Sequence, residues 1–315
     1  MLPMLPIAPM KTTAELMRRC ILCPRECGAD RFKGRGFCGE GAAVRIARAE
    51  LHRWEEPCIS GEGGSGTVFF TGCVLGCCFC QNYRISQQGL GFELTTRQLA
   101  DTFLMLRDRG AENINLVTPT HFTPQIIEAL DLVRDCLGIP VVFNCGGYEK
   151  PETLEMLRGY VDVFLPDMKY KSQSLSRELS KAPDYFERCM AALVKMRELT
   201  GPPVFDERGM LKKGTLVRHL VLPGGRHDSI ELIRALRERF GPEDILISLM
   251  AQFTPVYKAE EHEKLRRRVT TFEYRTVLDE VEAAGFEGFL QERTSAREDF
   301  IPEFYDHLYY HLPNT

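Results

Sequence analysis

The chain has 315 residues, 44% of them apolar, with 40 Lys and Arg against 44 Asp and Glu for a net charge of −4. This balance excludes a disordered, collagen-like or strongly nucleic-acid-attracting protein and fits a soluble enzyme of one large domain or two small ones. Pro3, Pro6 and Pro9 interrupt the apolar N-terminus and no basic stretch precedes it, so no signal peptide or membrane span is expected and the chain is expected to be cytoplasmic. Clustered cysteines in a reducing compartment point to metal rather than to disulfides.

Residues 1–60 read as a small cysteine-rich extension. Cys20, Cys23, Cys27 and Cys38 follow the spacing C-x2-C-x3-C-x10-C, with Pro24 stiffening the turn and several glycines letting Cys38 fold back to complete four thiolates. Four ligands leave no open position, so the expected site is structural or electron-relaying, and thiolates suit zinc or an iron–sulfur cluster equally. Cys58 is a substitute ligand, and only 42–47 resembles a strand. Residues 61–66 form a glycine-rich connector; no Lys-Ser/Thr follows, which excludes a phosphate loop.

The remainder, 61–315, alternates short β-branched and aromatic runs with longer helical patterns, the signature of βα units. Strands are expected at 66–70, 114–118, 141–144, 161–165, 216–222 and 245–250, and helices at 96–109, 124–137, 186–199, 229–240 and 272–284. Cys136, inside one helical pattern, reads as a small core residue, and 300–312 as a segment packed over the barrel. Six such units build either a partial barrel or a doubly wound sheet, and both put the ligand site at the C-terminal ends of the strands.

The first strand ends in Cys73-x3-Cys77-x2-Cys80 on a glycine-containing loop, with Cys78 as a non-ligand. Three thiolates on one loop can hold three irons of a cubane and leave the fourth iron open. A four-thiolate zinc site from Cys20, Cys23, Cys77 and Cys80, in a non-catalytic zinc-braced binding barrel, is the competing reading, but it leaves Cys73, Cys27 and Cys38 without a role.

This loop, with Phe79 before its last cysteine, resembles the signature of the radical S-adenosylmethionine (SAM) superfamily. Cys20-Ile-Leu-Cys-Pro-Arg-Glu-Cys27, Val117-Thr-Pro-Thr-His-Phe122, Leu165-Pro-Asp-Met-Lys-Tyr170 and Val217-Arg-His-Leu-Val-Leu-Pro-Gly224 are similar to an uncharacterised branch of pyruvate formate-lyase activating-enzyme homologues. The resemblance implies an α/β fold, a partial (β/α)6 TIM-type barrel, with Cys73, Cys77 and Cys80 binding a [4Fe–4S] cluster whose open iron chelates SAM. It implies reductive cleavage of SAM to a 5′-deoxyadenosyl radical that abstracts hydrogen. The substrate is then a glycyl-radical enzyme, another peptide or a small metabolite, and the electron donor a flavodoxin or ferredoxin.

The same resemblance points to cofactor contacts at the strand ends. Phe79 is placed beside the adenine. Thr118, Thr120 and His121 replace the usual Gly-Gly-Glu that meets the SAM ammonium. Asn144 precedes Cys145-Gly-Gly, where backbone can approach a ligand closely. Asp167 and Lys169 match an Asp-x-Lys that lies close to SAM, and alternation puts both on one face. Arg218 is expected on the SAM carboxylate, while His219, on the opposite face, packs; Gln252 falls near the ribose.

Overall fold

The computed structural model describes residues 12–290. Ten strands form one sheet: β1 (Val44–His52), β2 (Ser65–Phe70), β3 (Phe92–Leu94), β4 (Ile114–Val117), β5 (Val141–Cys145), β6 (Val163–Pro166), β7 (Val204–Phe205), β8 (Leu211–Leu220), β9 (Leu246–Met250) and β10 (Gly288–Leu290). The main path runs β3-β1-β2-β4-β5-β6-β8-β9-β10, with β7 paired to β8 alone. From β2 to β10 neighbours are parallel and follow chain order, so every crossover steps the same way. A doubly wound sheet reverses that step at a switch point; this one does not, and the fold is a partial TIM-type barrel. β10 adds a seventh parallel strand to the six expected, too short and polar at its edges to be read as one.

The helices begin and end where the sequence punctuates them. Thr96–Asp108 opens on a capping box, Thr95 accepting from Gln98 N–H and the Gln98 side chain accepting from Thr95 N–H. Its apolar stripe, Leu99, Ala100, Phe103 and Leu106, is wholly buried against the outside of the sheet, each large side chain worth roughly 1.5–3 kcal/mol. Thr271–Ala284 opens on a second capping box at Thr270 and stops at Gly285 in the left-handed conformation. The expected helix at 124–137 is shorter, Thr123–Asp131, so Cys136 lies beyond it and is exposed rather than in the core. Residues 300–312 lie outside the described residues. Among the described residues no helix is long and apolar enough to cross a membrane.

Before β2 the chain closes one end of the barrel. Cys58 and Ile59, on the short helix Pro57–Ser60, pack with Val142, Val163, Leu165, Leu216 and Leu246 inside the ring of strands. Asn113 holds that helix from β4's entrance, donating to the Ile59 carbonyl at 2.7 Å. The cysteine-rich segment 12–43 instead lies over the opposite end, where it is sewn to β-strand exits. Cys73 N–H donates to the Cys38 carbonyl at 3.1 Å, Gln125 to the Ala42 carbonyl at 2.7 Å and Thr153 to the Leu22 carbonyl at 2.7 Å.

Gly72 makes that seam possible. Its φ is +74°, and a Cβ there would stand 2.5 Å from both the Cys38 carbonyl oxygen and Glu40 Cγ. Gly72→Ala is expected to lower stability by about 2 kcal/mol or more, from left-handed strain plus the clash. A urea midpoint within error of the parent's would show that the seam yields without cost.

Candidate functional site

The loop after β2 presents its three cysteines with a donor on each sulfur. Leu75 N–H donates to Cys73 Sγ at 3.3 Å, Ser180 Oγ to Cys77 Sγ at 2.9 Å, and Ser86 Oγ lies 3.3 Å from Cys80 Sγ. The loop is held from outside by main-chain bonds from Cys78 N–H to Leu179 O and from Lys258 N–H to Cys78 O, both 2.9 Å. These bonds fix Cys78 by its backbone.

Burial pushes the Cys73 and Cys80 thiols up, Cys80 to about 11, and the neighbouring Cys77 adds to both; the Lys169 ammonium pulls the other way. Three thiols that oppose one another's ionisation, with hydrogen-bond donors already aimed at the sulfurs, suit a cationic iron–sulfur core that takes them as thiolates. The donor set therefore fits a three-thiolate [4Fe–4S] cluster.

Beside the loop opens a cavity of about 230 Å³. Cys77, Phe79, Cys80, Asn144, Asp167, Lys169, Arg218 and Gln252 line it together, brought in from the loop after β2 and from β5, β6, β8, β9 and the loops that follow them. Phe79 is buried and packs at 5.9 Å on Phe253.

The polar wall of the cavity is one connected network. Arg218 donates from Nε to Asp167 at 2.9 Å, from Nη1 to Glu55 at 3.1 Å and from Nη2 to Asn144 at 2.7 Å. Lys169 Nζ donates to the other oxygen of Asp167 at 2.6 Å. Burial alone would raise the Asp167 carboxyl, but Arg218 and Lys169 outweigh it and hold it below its usual range. Burial likewise works against the Lys169 ammonium, and Asp167 and Cys77 outweigh it to raise its pKa. Both groups stay ionised because each supplies the other's counter-charge.

Arg218 thus directs its donors at protein acceptors, so a SAM carboxylate would have to compete with Glu55 for them. Lys169 makes a single bond to Asp167 and has donors to spare. Of the two cations, Lys169 is the freer to meet an incoming anion. His219 turns to the opposite face, its Nδ1 at 2.6 Å from the Met168 carbonyl and its Nε2 at 2.9 Å from Ser229 Oγ.

The Thr-Pro-Thr-His stretch is not part of the cavity lining. Thr120 donates to buried Glu149 at 2.9 Å, and His121 Nε2 sits 2.7 Å from the Thr71 carbonyl. Both residues are buried under the cysteine-rich segment, whose contact faces away from the cavity. Thr118 is half-buried at the end of β4 with φ +59°, a strained conformation for a β-branched residue, and its N–H donates to the Asn144 carbonyl at 2.8 Å.

Burial raises the Glu149 carboxyl to about 7, with the bonds from Thr120 and Cys145 working against it. The folded state therefore holds that proton more tightly than the unfolded chain, and stability present below the ordinary carboxylate pKa drains away as pH rises toward 7. Glu149→Gln is expected to flatten the fall in stability between about pH 4.5 and 7, read from urea midpoints; an unchanged slope would place the proton elsewhere.

Four cavity residues carried no functional signal in the sequence: His52, Trp54, Glu55 and Glu56. Glu56 is fully buried; burial raises its carboxyl to about 7 although Arg218 opposes this, and Glu56 Oε2 and Ser248 Oγ both lack a hydrogen-bond partner. One clue was available. Arg218 and Lys169 bring two cations against one aspartate, so a buried site must recruit another acid.

The family model described as the radical SAM superfamily matches residues 67–236. An uncharacterised protein of Methanocaldococcus jannaschii is 30% identical over 275 residues, covering 84% of this chain and 74% of its own. A radical SAM methyltransferase from Sphaerobacter thermophilus superposes with a TM-score of 0.51 at 15% identity, over 72% of this chain and 66% of that one, a likeness of fold that spans just under two thirds of the methyltransferase. With its cysteine loop at the exit of the first parallel strand and the matched segment running through β8, the chain belongs to the radical SAM superfamily.

Proposed function

We propose that this enzyme binds SAM in the cavity beside Cys73, Cys77 and Cys80 and uses it to abstract hydrogen from a glycine position of a partner glycyl-radical enzyme. The superfamily implies a [4Fe–4S] cluster and SAM as cofactors. When bound, the cluster supplies a low-potential electron that splits SAM into methionine and a 5′-deoxyadenosyl radical. The chain's own residues do the rest. Cys73, Cys77 and Cys80 would hold three irons. Lys169 offers an ammonium to the SAM carboxylate, and Asp167 keeps that ammonium oriented. Phe79 and the buried strands keep water from the reacting atoms.

The observation that carries the reading is the convergence of Cys77 and Cys80, on the same loop as Cys73, and the Lys169–Asp167 pair on one cavity. A glycine Cα brings no side chain, so a main-chain loop would need the least room beside SAM. Twelve free cysteines and an oxygen-sensitive cofactor also support a cytoplasmic setting.

The test is anaerobic: reconstituted, reduced protein with SAM should release 5′-deoxyadenosine and methionine and, with a co-encoded glycyl-radical enzyme, give a glycine-centred doublet in electron paramagnetic resonance. Stoichiometric zinc without iron would overturn the enzyme reading. SAM cleavage coupled to a different peptide or metabolite would overturn the activase assignment alone.

A further inference from the structure

The cysteine-rich segment brings its four thiols to one place. Cys20, Cys23 and Cys38 are buried and Cys27 is exposed. The sulfurs of Cys27 and Cys38 each lie 3.4 Å from the point where a Cβ of Gly36 would stand, so they are at most twice that distance apart. Burial pushes the Cys23 and Cys38 thiols up, and the nearby Cys20 adds to both. At Cys23 and Cys38 the N–H two residues on, from Arg25 and Glu40, donates to the sulfur, as the N–H groups of Leu75 and Asn82 do at Cys73 and Cys80. The two cysteine sets share one pattern of sulfur support.

Arg31 supplies an independent sign. It is 2% exposed, and its guanidinium donates only to carbonyls, those of Gly41 at 2.9 Å and His121, with Phe122 stacked beneath at 5.3 Å. Among the described residues no carboxylate pairs with it, yet its charge acts on the Cys38 sulfur. A buried cation without a counter-ion is costly, and a four-thiolate metal centre of net negative charge provides one.

We propose that Cys20, Cys23, Cys27 and Cys38 hold a second iron–sulfur cluster that relays single electrons to the centre at Cys73, Cys77 and Cys80, with Arg31 as its buried counter-charge. The relay rests on the function proposed above. The choice of iron–sulfur over zinc rests on the direct contact between the two cysteine sets.

Cys38 accepts from Cys73 N–H, while Arg25 donates to the Val74 carbonyl at 2.9 Å and to that of Ser180, whose hydroxyl supports Cys77. That contact places the two cysteine sets on adjoining backbone, the arrangement an electron relay requires. Beside Cys27 lies Gly36, and the exposed Arg35 and Phe37 that flank it offer a basic, aromatic edge to an acidic one-electron carrier of the flavodoxin or ferredoxin class. One electron leaves the reduced carrier, which is oxidised by one, and arrives at the Cys73/Cys77/Cys80 centre, which is reduced by one; no bond or proton changes.

The experiment counts iron and sulfide in the anaerobically reconstituted full chain, with Mössbauer and electron paramagnetic resonance spectra. Wild type should hold about eight irons, and the Cys73/Cys77/Cys80 triple alanine variant about four in a cluster that SAM does not perturb. Cys27→Ser, at the exposed ligand and so least harmful to folding, should convert or lose the second cluster signal. It should also lower carrier-driven SAM cleavage at least tenfold more than dithionite-driven cleavage. A folded triple variant with no iron, zinc in its place, or a Cys27→Ser protein with unchanged spectra and unchanged carrier-to-dithionite ratio would overturn the proposal. Eight irons with no SAM cleavage under dithionite would overturn the proposed function and leave the second cluster standing.

Discussion

Alanine at any one of Cys73, Cys77 or Cys80 is expected to cut SAM cleavage by ~10³-fold or more, because the cofactor carries the chemistry and each thiolate holds one corner of it. Iron at this site should fall with activity while the far-ultraviolet circular dichroism stays that of the parent. Cys78→Ala is the internal control. That residue is held through its amide and carbonyl, bonded to Leu179 and Lys258, so removing its sulfur should leave the loop in place. Its thiol, like those of Cys73 and Cys80, is pushed up by burial, to about 12, so backbone anchoring rather than acidity sets it apart. Equal loss of iron in Cys78→Ala and Cys77→Ala would mean that the loop as a whole, rather than three named sulfurs, binds the cluster.

The second large effect is expected at Arg218. Its removal leaves Asp167 and Glu55 in a buried wall with one cation, Lys169, between them, and breaking such a pair costs about 3–5 kcal/mol. Arg218→Ala should lower the urea midpoint by that amount. Arg218→Lys should recover only part, since an ammonium cannot reach Asp167, Glu55 and Asn144 from one planar fork. Adding Glu55→Gln to Arg218→Ala removes the stranded charge and should restore some stability, a non-additivity that a double-mutant cycle reads directly. A loss under 1 kcal/mol for Arg218→Ala would show that water already solvates the network.

The βα units were legible because their strands are buried on both faces and their helices on one. Runs such as Val163–Pro166 leave an unbroken apolar signal, and Thr95 and Thr270 announce helix starts by local hydrogen bonding alone. The antiparallel pair β1 and β3 was harder to see. Arg45, Arg48 and Glu50 make β1 read as polar, and they are tolerated because Arg45 pairs with Glu40 and Arg48 with Glu50. The helix Gln173–Ser180 was missed for a similar reason: its serines suit a loop, while Ser180 is in fact buried against Tyr170 and Cys77.

Chemistry set by neighbours in sequence was determined by the sequence itself. The three-cysteine loop, the four-cysteine spacing of the N-terminal segment and the Asp-x-Lys on one face of a strand follow from local spacing and strand alternation. What joins residues far apart was decided only by tertiary structure. Glu55 and Arg218 are separated by 163 positions and meet inside the barrel, and the four-cysteine segment reaches the Cys73 loop through the Cys73–Cys38 main-chain bond and the Arg25 bond to the Val74 carbonyl. Chain order of the parallel strands, and with it barrel over doubly wound sheet, is likewise a property of crossovers, since each strand's apolar pattern is the same whichever neighbour it pairs with.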